Sequence, residues 1–341
     1  MIKEKSIIET DIYTFQDSIK TKITSKQLYK LGNKHTKIMK SIIVFFVLIL
    51  TGIVSFGQQD AQFTQYMYNT ININPAYAGS RGFMSLFALH RTQWVGLDGA
   101  PVTNSFSINT PISNSNLGVG ISFINDRIGP TNENAISADV SYSIRTSESF
   151  RLSFGLKVTA NIFNLDVSKL NPVSQNDPQF QNFDNSLTPN FGGGLYLHSE
   201  KTYIGLSVPN FIESNRYNSN SVSMFKEKMN YYLIAGHVFD IGENLKFKPT
   251  LLTKLVTGAP LQIDVSGNFL INKKFVLGGA YRWSAAFSAM AGFQISEGIF
   301  VGYGYDKETT NLANYNSGSH EIFLRFELSR TYNKITSPRF F

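Results

Sequence analysis

The chain has 341 residues, no cysteine, and only 16% charged residues, against about 25% in an average soluble domain. Aromatics are abundant, with 28 Phe, 16 Tyr and 2 Trp. The missing cysteines exclude disulfide scaffolds, thiolate zinc sites, iron–sulfur clusters and cysteine nucleophiles. A formal charge of +7 invites an acidic partner such as nucleic acid, but that charge depends on where the mature protein starts.

Lys34, Lys37 and Lys40 flank an unbroken apolar run, Ile42–Leu50, and Ser55 and Gly57 then supply small residues around Phe56. A basic flank, a short apolar core and a small-residue cleavage site make up a secretory signal peptide. The core is too short to span a bilayer comfortably. This pattern makes Met39 the expected initiator, residues 1–38 a start-site extension, and 39–57 the signal peptide. Without residues 1–57 the chain carries 22 basic and 20 acidic residues. The basic-protein argument then disappears, and no nucleic-acid partner is expected.

From Gln58 onward, period-2 alternation replaces any long helical period. In Arg151–Ile162 one face reads Leu152, Phe154, Leu156, Val158, Ala160 and Ile162, while the other carries Arg151, Ser153, Lys157 and Asn161. In a strand these sets point to opposite sides. Ile136–Arg145, Leu261–Phe269 and Glu321–Leu328 repeat the pattern. Noisier versions cover 83–93, 102–110, 117–125, 188–198, 201–209, 229–239, 245–256, 275–283, 286–296 and 299–306, which makes about fourteen strands. Turn chemistry such as Asp98-Gly99, Asn114-Ser115-Asn116, Gly129-Pro130 and Asn272-Lys273-Lys274 separates them. Two linkers, Leu165–Leu187 and Asn210–Lys228, are long and Asn/Ser-rich.

A soluble sandwich would bury the apolar faces, whereas an outer-membrane barrel would turn them to lipid. An even count of roughly ten-residue strands favours the closed all-β transmembrane antiparallel barrel, because lipid tolerates no open sheet edge. So do the aromatics at strand ends, Tyr231, Tyr232, Phe239, Tyr281, Trp283, Tyr303 and Tyr305, where an interfacial girdle would lie. The expected organisation is an N-terminal plug or periplasmic segment over 58–80, the barrel over 81–330 and a tail over 331–341. The expected location is the outer membrane.

Chemistry is sparse. His90, His198, His237 and His320 lie far apart, and the close pairs His90–Arg91 and His320–Glu321 lack a nearby nucleophile. No nucleophile elbow or phosphate-binding loop is present, and Gly302-x-Gly304 sits in a strand. Glycines at Gly192–Gly194 and Gly278–Gly279 are expected to relieve crowding between twisted strands. The oxygen-rich loop Asn171–Asp184 has the ligand type for calcium but not the spacing. No enzyme activity, cofactor or metal is expected. Lumen-facing charges are expected at Asp139, Arg145, Arg151, Lys157, Lys246, Lys248, Lys254, Asp264, Arg282, Glu321, Arg325 and Glu327. They fit either an ion or solute pathway or paired charges in a closed lumen.

Four ordered blocks carry a resemblance. Gln62–Asn69 with Ile73-Asn74-Pro75-Ala76-Tyr77-Ala78-Gly79-Ser80 opens it. Arg91-Thr92-Gln93-Trp94-Val95-Gly96 with Gly99-Ala100-Pro101, then Asp126–Thr131, then Asn314–Ile322 complete it. Together they resemble the PorP/SprF family of Bacteroidota. The resemblance implies a non-enzymatic outer-membrane barrel of the type IX secretion system. Such a barrel would assist secretion or surface attachment of a cognate large protein with a C-terminal sorting domain, such as a gliding adhesin. Its implied partners are that cargo or adhesin, other secretion components and outer-membrane lipid. The alternative is a general porin or solute channel. Motif positions expected at plug or partner contacts are Tyr66, Asn74, Pro75, Tyr77, Arg91, Trp94, Tyr315 and His320. Tyr66, Tyr68 and Tyr77 are expected to anchor the plug, with Arg91 and Trp94 touching it or each other.

Overall fold

A computed structural model describes residues 66–169, 183–213 and 228–328. The start-site extension, the signal peptide, residues 58–65, most of the Asn171–Asp184 loop and the tail lie outside the described residues. The strands are β1 (Met84–Thr92), β2 (Val102–Pro111), β3 (Leu117–Ile128), β4 (Thr131–Arg145) and β5 (Arg151–Leu165). Next come β6 (Phe183–His198), β7 (Thr202–Val208), β8 (Asn230–His237) and the two-residue β9 (Phe239–Asp240). The remainder are β10 (Leu245–Val256), β11 (Gln262–Ile271), β12 (Phe275–Arg282), β13 (Ala286–Ser296), β14 (Ile299–Glu308) and β15 (Ser319–Leu328).

Both β8 and β9 pair with β10, on either side of Val238, so they form one stave. Every stave pairs antiparallel with its sequence neighbour. Pairing of β15 with β1, from Met84↔Leu328 to Thr92↔His320, closes the sheet. The result is a fourteen-stave up-and-down barrel. Closure removes the sheet edges that a bilayer would leave unpaired.

Burial runs opposite to that of a soluble sandwich. The apolar faces are open, with Leu156 65%, Leu187 64% and Ile322 59% exposed. Their polar alternates are covered, with Lys157 at 4%, Arg325 at 4% and Glu321 at 1%. A surface that is greasy outside and ionic inside suits lipid, not water. Connections differ at the two rims. Residues 112–116, 146–150, 199–201, 241–244, 272–274 and 297–298 are short turns on one rim, where β1 begins and β15 ends. At the opposite rim the paired strand ends lie further apart in the chain, as between β1 and β2, β5 and β6, β7 and β8, and β14 and β15.

Three expectations change. Arg145 and Arg151 pair in register at the short-turn rim and are exposed there, not in the lumen. Lys246 and Lys201 both bind Asp240 at that rim. Tyr232 is buried and faces inward beneath Lys254, whose ammonium lies 5.8 Å from its ring, while its neighbour Tyr231 faces out. Period two permits only one of two consecutive tyrosines in a lipid-facing girdle.

Candidate functional site: the filled lumen and the long-loop rim

Residues Tyr66–Arg81 form no strand. They make two short 3-10 turns, Thr70–Asn72 and Pro75–Tyr77. The second is built by its own sequence: Pro75 opens the turn, and the Asn74 side chain accepts the Ala76 N–H at 3.0 Å. Proline's fixed φ and missing donor suit a first helical position. Tyr66, Tyr68, Asn74, Pro75, Ala76 and Tyr77 are all buried.

Irregular backbone at membrane depth persists only where protein satisfies its polar groups. Here the inner faces of the staves do so. Lys157 on β5 donates to the Ile71 carbonyl at 3.1 Å, and Ser207 on β7 to the Ile73 carbonyl at 2.7 Å. Ser141 on β4 donates to the Ala78 carbonyl at 2.7 Å, and the Gly79 N–H donates to Asn109 on β2 at 3.3 Å. Asn74 donates to the Leu195 carbonyl of β6 at 3.0 Å. The Tyr66 hydroxyl meets Thr250 on β10 at 2.9 Å. The segment therefore spans the lumen from β2 round to β10 as a plug.

Glycines make the room. A side chain at Gly155 would overlap the Pro75–Ala76 backbone, one at Gly118 the Ala78 carbonyl, and one at Gly194 the Asn74 amide. Crowding between strands is therefore not the reason for Gly194; the plug is. Gly278 does sit against a neighbouring strand, at the Asn268 side chain.

A second cluster holds the plug's other end. Tyr68 stacks on Phe300 at 5.5 Å and packs tilted against Phe323 at 4.9 Å between ring centroids. Lys248 lies 5.2 Å from the Tyr68 ring and Arg325 lies 4.8 Å from that of Phe300. Arg81 binds both Glu327 and the Tyr77 hydroxyl, the latter at 3.2 Å, and Arg325 reaches Glu327 at 2.9 Å. Most of the expected inner charges are thus committed in pairs: Lys157 with Asp139 at 3.3 Å and Arg282 with Asp264 at 3.0 Å join them. Asn74→Ala removes an amide that serves both strand and plug backbone. It is expected to cost about 2 kcal/mol, read as a lower temperature for the loss of heat-modifiable migration on gels.

The later motif positions gather elsewhere. Arg91 is buried and bridges Asp306 at 2.7 Å and Glu321 at 3.1 Å, tying β1 to β14 and β15. Trp94, at φ 46, donates its indole N–H to Glu308 at 3.1 Å. Val95 N–H donates to the Gly318 carbonyl at 2.9 Å, Ser317 N–H to Val95 at 2.8 Å, and Gly129 N–H to Gly99 at 2.9 Å. The motif blocks around residues 94–101, 129 and 317–319 therefore interlock at the long-loop rim. Arg91 and Trp94 each find carboxylate partners here that the sequence reading did not name. Trp94's left-handed backbone turns its indole toward the β14 end. Tyr315 is 70% exposed in the same rim. His320 faces outward and binds the Tyr303 hydroxyl at 2.6 Å.

His90 and His320 also lose their sequence neighbours as partners. Both point out of the barrel, whereas Arg91 and Glu321 point in. Sequence reasoning missed Asn109, Ser141 and Ser207 as plug ligands. Their signal was present as small polar residues on inner faces, but their partners are remote in the chain.

This fold and interior define a membrane-spanning β-barrel with the segment Tyr66–Arg81 held against its inner faces. A family model for the type IX secretion system membrane protein PorP/SprF matches residues 55–326. The chain belongs to that family, and it is an outer-membrane component of the type IX secretion system. The short-turn rim is then periplasmic and the long-loop rim extracellular. Among solved structures the chain is similar to Omp33 of Acinetobacter baumannii at 8% identity and TM-score 0.44, covering 72% of this chain and 98% of that one. It is also similar to the CymD monoaromatic hydrocarbon channel at 12% identity and TM-score 0.44, covering 82% and 95%. A KdgM porin aligns at 8% identity and TM-score 0.35, covering 72% and 99%. No curated protein sequence matches the chain.

Proposed function

We propose that this barrel is the non-enzymatic outer-membrane partner of a large secreted protein with a C-terminal sorting domain, which it helps to export or holds at the cell surface. A gliding adhesin is one such cargo. The single observation that carries the reading is the filled lumen. A polar interior committed to seventeen-odd residues of its own chain, roughly Tyr66 to Gly82, leaves its hydrogen-bonding groups to the plug and not to a passing solute. The interlocked extracellular rim, with Tyr315 open to solvent, offers a rigid face for such a partner. In that role Tyr66, Asn74, Pro75 and Tyr77 hold the plug, Arg91 and Trp94 hold the rim, and Tyr315 and His320 stand at its surface.

The test is purification from the native outer membrane in mild detergent, with co-purifying proteins identified by mass spectrometry. Recovery of a large surface protein bearing a sorting domain is expected. A solitary barrel that conducts ions freely would favour the porin or solute-channel reading.

A further inference from the structure

One half of the barrel's outer wall carries a row of polar side chains just above its apolar belt. Register sets the row: Tyr305 opposes His320, His320 opposes Thr92, and His90 opposes Asn104. It continues with Asn104 opposite Asn125 and Asn125 opposite Asn134. All of these lie at outward-facing positions of β14, β15, β1, β2, β3 and β4.

Hydrogen bonds join most of the row. Thr92 meets His90 at 3.2 Å and His90 meets Asn104 at 2.8 Å. Asn104 donates to Asn125 at 3.4 Å, and Asn125 donates to Asn134 at 2.9 Å and to Asn132 at 2.7 Å. Two residues toward the periplasm on the same strands, the wall becomes apolar at Phe106, Phe123, Ile136 and Ile322, between 38% and 59% exposed. Two residues the other way on β3 stands the exposed cation Arg127, opposite Asn132. The other half differs. There Tyr231, Leu255, Leu261, Tyr281, Trp283 and Phe287 keep the outer face apolar or aromatic near the extracellular turns.

We propose that this band binds the sugar-phosphate headgroup of an outer-leaflet glycolipid. Amides, hydroxyls and imidazoles both donate and accept, which is what sugar hydroxyls require, and Arg127 supplies the charge a phosphate requires. The position commits the occupant. The band continues upward from the wall that acyl chains cover, so a lipid held against Phe106, Phe123 and Ile136 places its headgroup at the asparagines. A protein partner would instead be anchored by a central apolar or aromatic cluster; the aromatic contacts of this row, Tyr303 and Tyr305 against His320, stand at one end of it, and its centre is amide and imidazole. Confinement to one half of the circumference makes the lipid contact directional, so the barrel has a glycolipid-facing side and a plain apolar side.

The test uses the purified full chain in dodecyl maltoside with diphosphoryl lipid A as the probe, read by native mass spectrometry. The wild type is expected to bind lipid A at least about tenfold more tightly than Asn104→Leu/Asn125→Leu/Asn134→Leu, the loss of a few neutral hydrogen bonds. Arg127→Gln is expected to weaken binding of diphosphoryl lipid A but not of the dephosphorylated lipid. Heat-modifiable migration checks folding, and Asn125→Ala alone, expected to lose about threefold, serves if the triple variant does not fold. Equal binding by all variants would overturn the proposal, as would equal retention of phosphatidylethanolamine. So would a variant that keeps lipid A but loses a co-purifying protein, since the band would then be a protein interface. The lipid A and phosphatidylethanolamine readouts do not depend on the secretion cargo, so they can fail without the proposed function failing.

Discussion

Gly155→Val is expected to drive the plug from its seat. A side chain on Gly155 would collide with the backbone of Pro75 and Ala76, not with a flexible side-chain end. Overpacking a core costs about 1–3 kcal/mol when side chains alone must give, and here the Asn74–Ala76 turn must leave as a unit. Its departure would strand the Asn74 bond to Leu195 and the Ser207 bond to Ile73. Arg81, buried against Glu327 and Tyr77 in the intact barrel, would become accessible. Trypsin should then cut after Arg81 at least about tenfold faster than in the wild type, following the population of the open form. Gly193→Ala is the matched control. It faces outward, where its Cβ would lie 3.3 Å from the Phe211 ring, and it should leave the cleavage rate unchanged. Identical cleavage in Gly155→Val and wild type would show that the segment is not seated through this glycine.

The second large effect is expected at the ion cluster beneath the extracellular rim. Arg91, Asp306 and Glu321 have side chains that are 2%, 2% and 0% exposed. Removing one partner of a buried pair leaves an uncompensated charge and costs about 3–5 kcal/mol, whereas removing all charges together costs far less. Arg91→Met, which takes from Asp306 and Glu321 the cation they share, is therefore expected to lower the unfolding free energy of the barrel in detergent by an amount in that range, read as a lower urea midpoint. Arg91→Met/Asp306→Asn/Glu321→Gln together should recover most of the loss. Because β1 and β15 meet here to close the sheet, the single variant should also assemble less efficiently. If the triple variant is no more stable than Arg91→Met, then shape and hydrogen bonding matter at this closure more than charge balance does.

Much of the architecture is legible from residues alone. Inner and outer faces follow from alternation in stretches such as Arg151–Ile162, because each strand residue has only two sides to choose from. The number of staves follows from turn chemistry between those stretches. What is illegible has a common cause. Strands β3 to β6 run 12, 15, 15 and 16 residues, longer than the sequence predicts, because their extracellular ends lie above the belt and lose the apolar half of the pattern. Asn132 and Asn134 read as loop residues in a chain, yet they are paired strand positions. Trp94 finds Glu308, and Lys157 finds Ile71, across chain separations that no local pattern encodes. The plug was readable as something other than a lipid-facing strand, since Asn74-Pro75 breaks the ladder. Its specific ligands were not, because Ser and Asn on an inner face look the same whether they bond water or backbone.

The most direct test of a barrel closed by its own N-terminal segment is ion conductance of the purified protein in planar bilayers. The filled lumen predicts no steady ohmic conductance for the wild type, with open-channel events appearing when Gly155→Val displaces the plug. A stable, open wild-type conductance that Gly155→Val leaves unchanged would contradict it and make this barrel a channel.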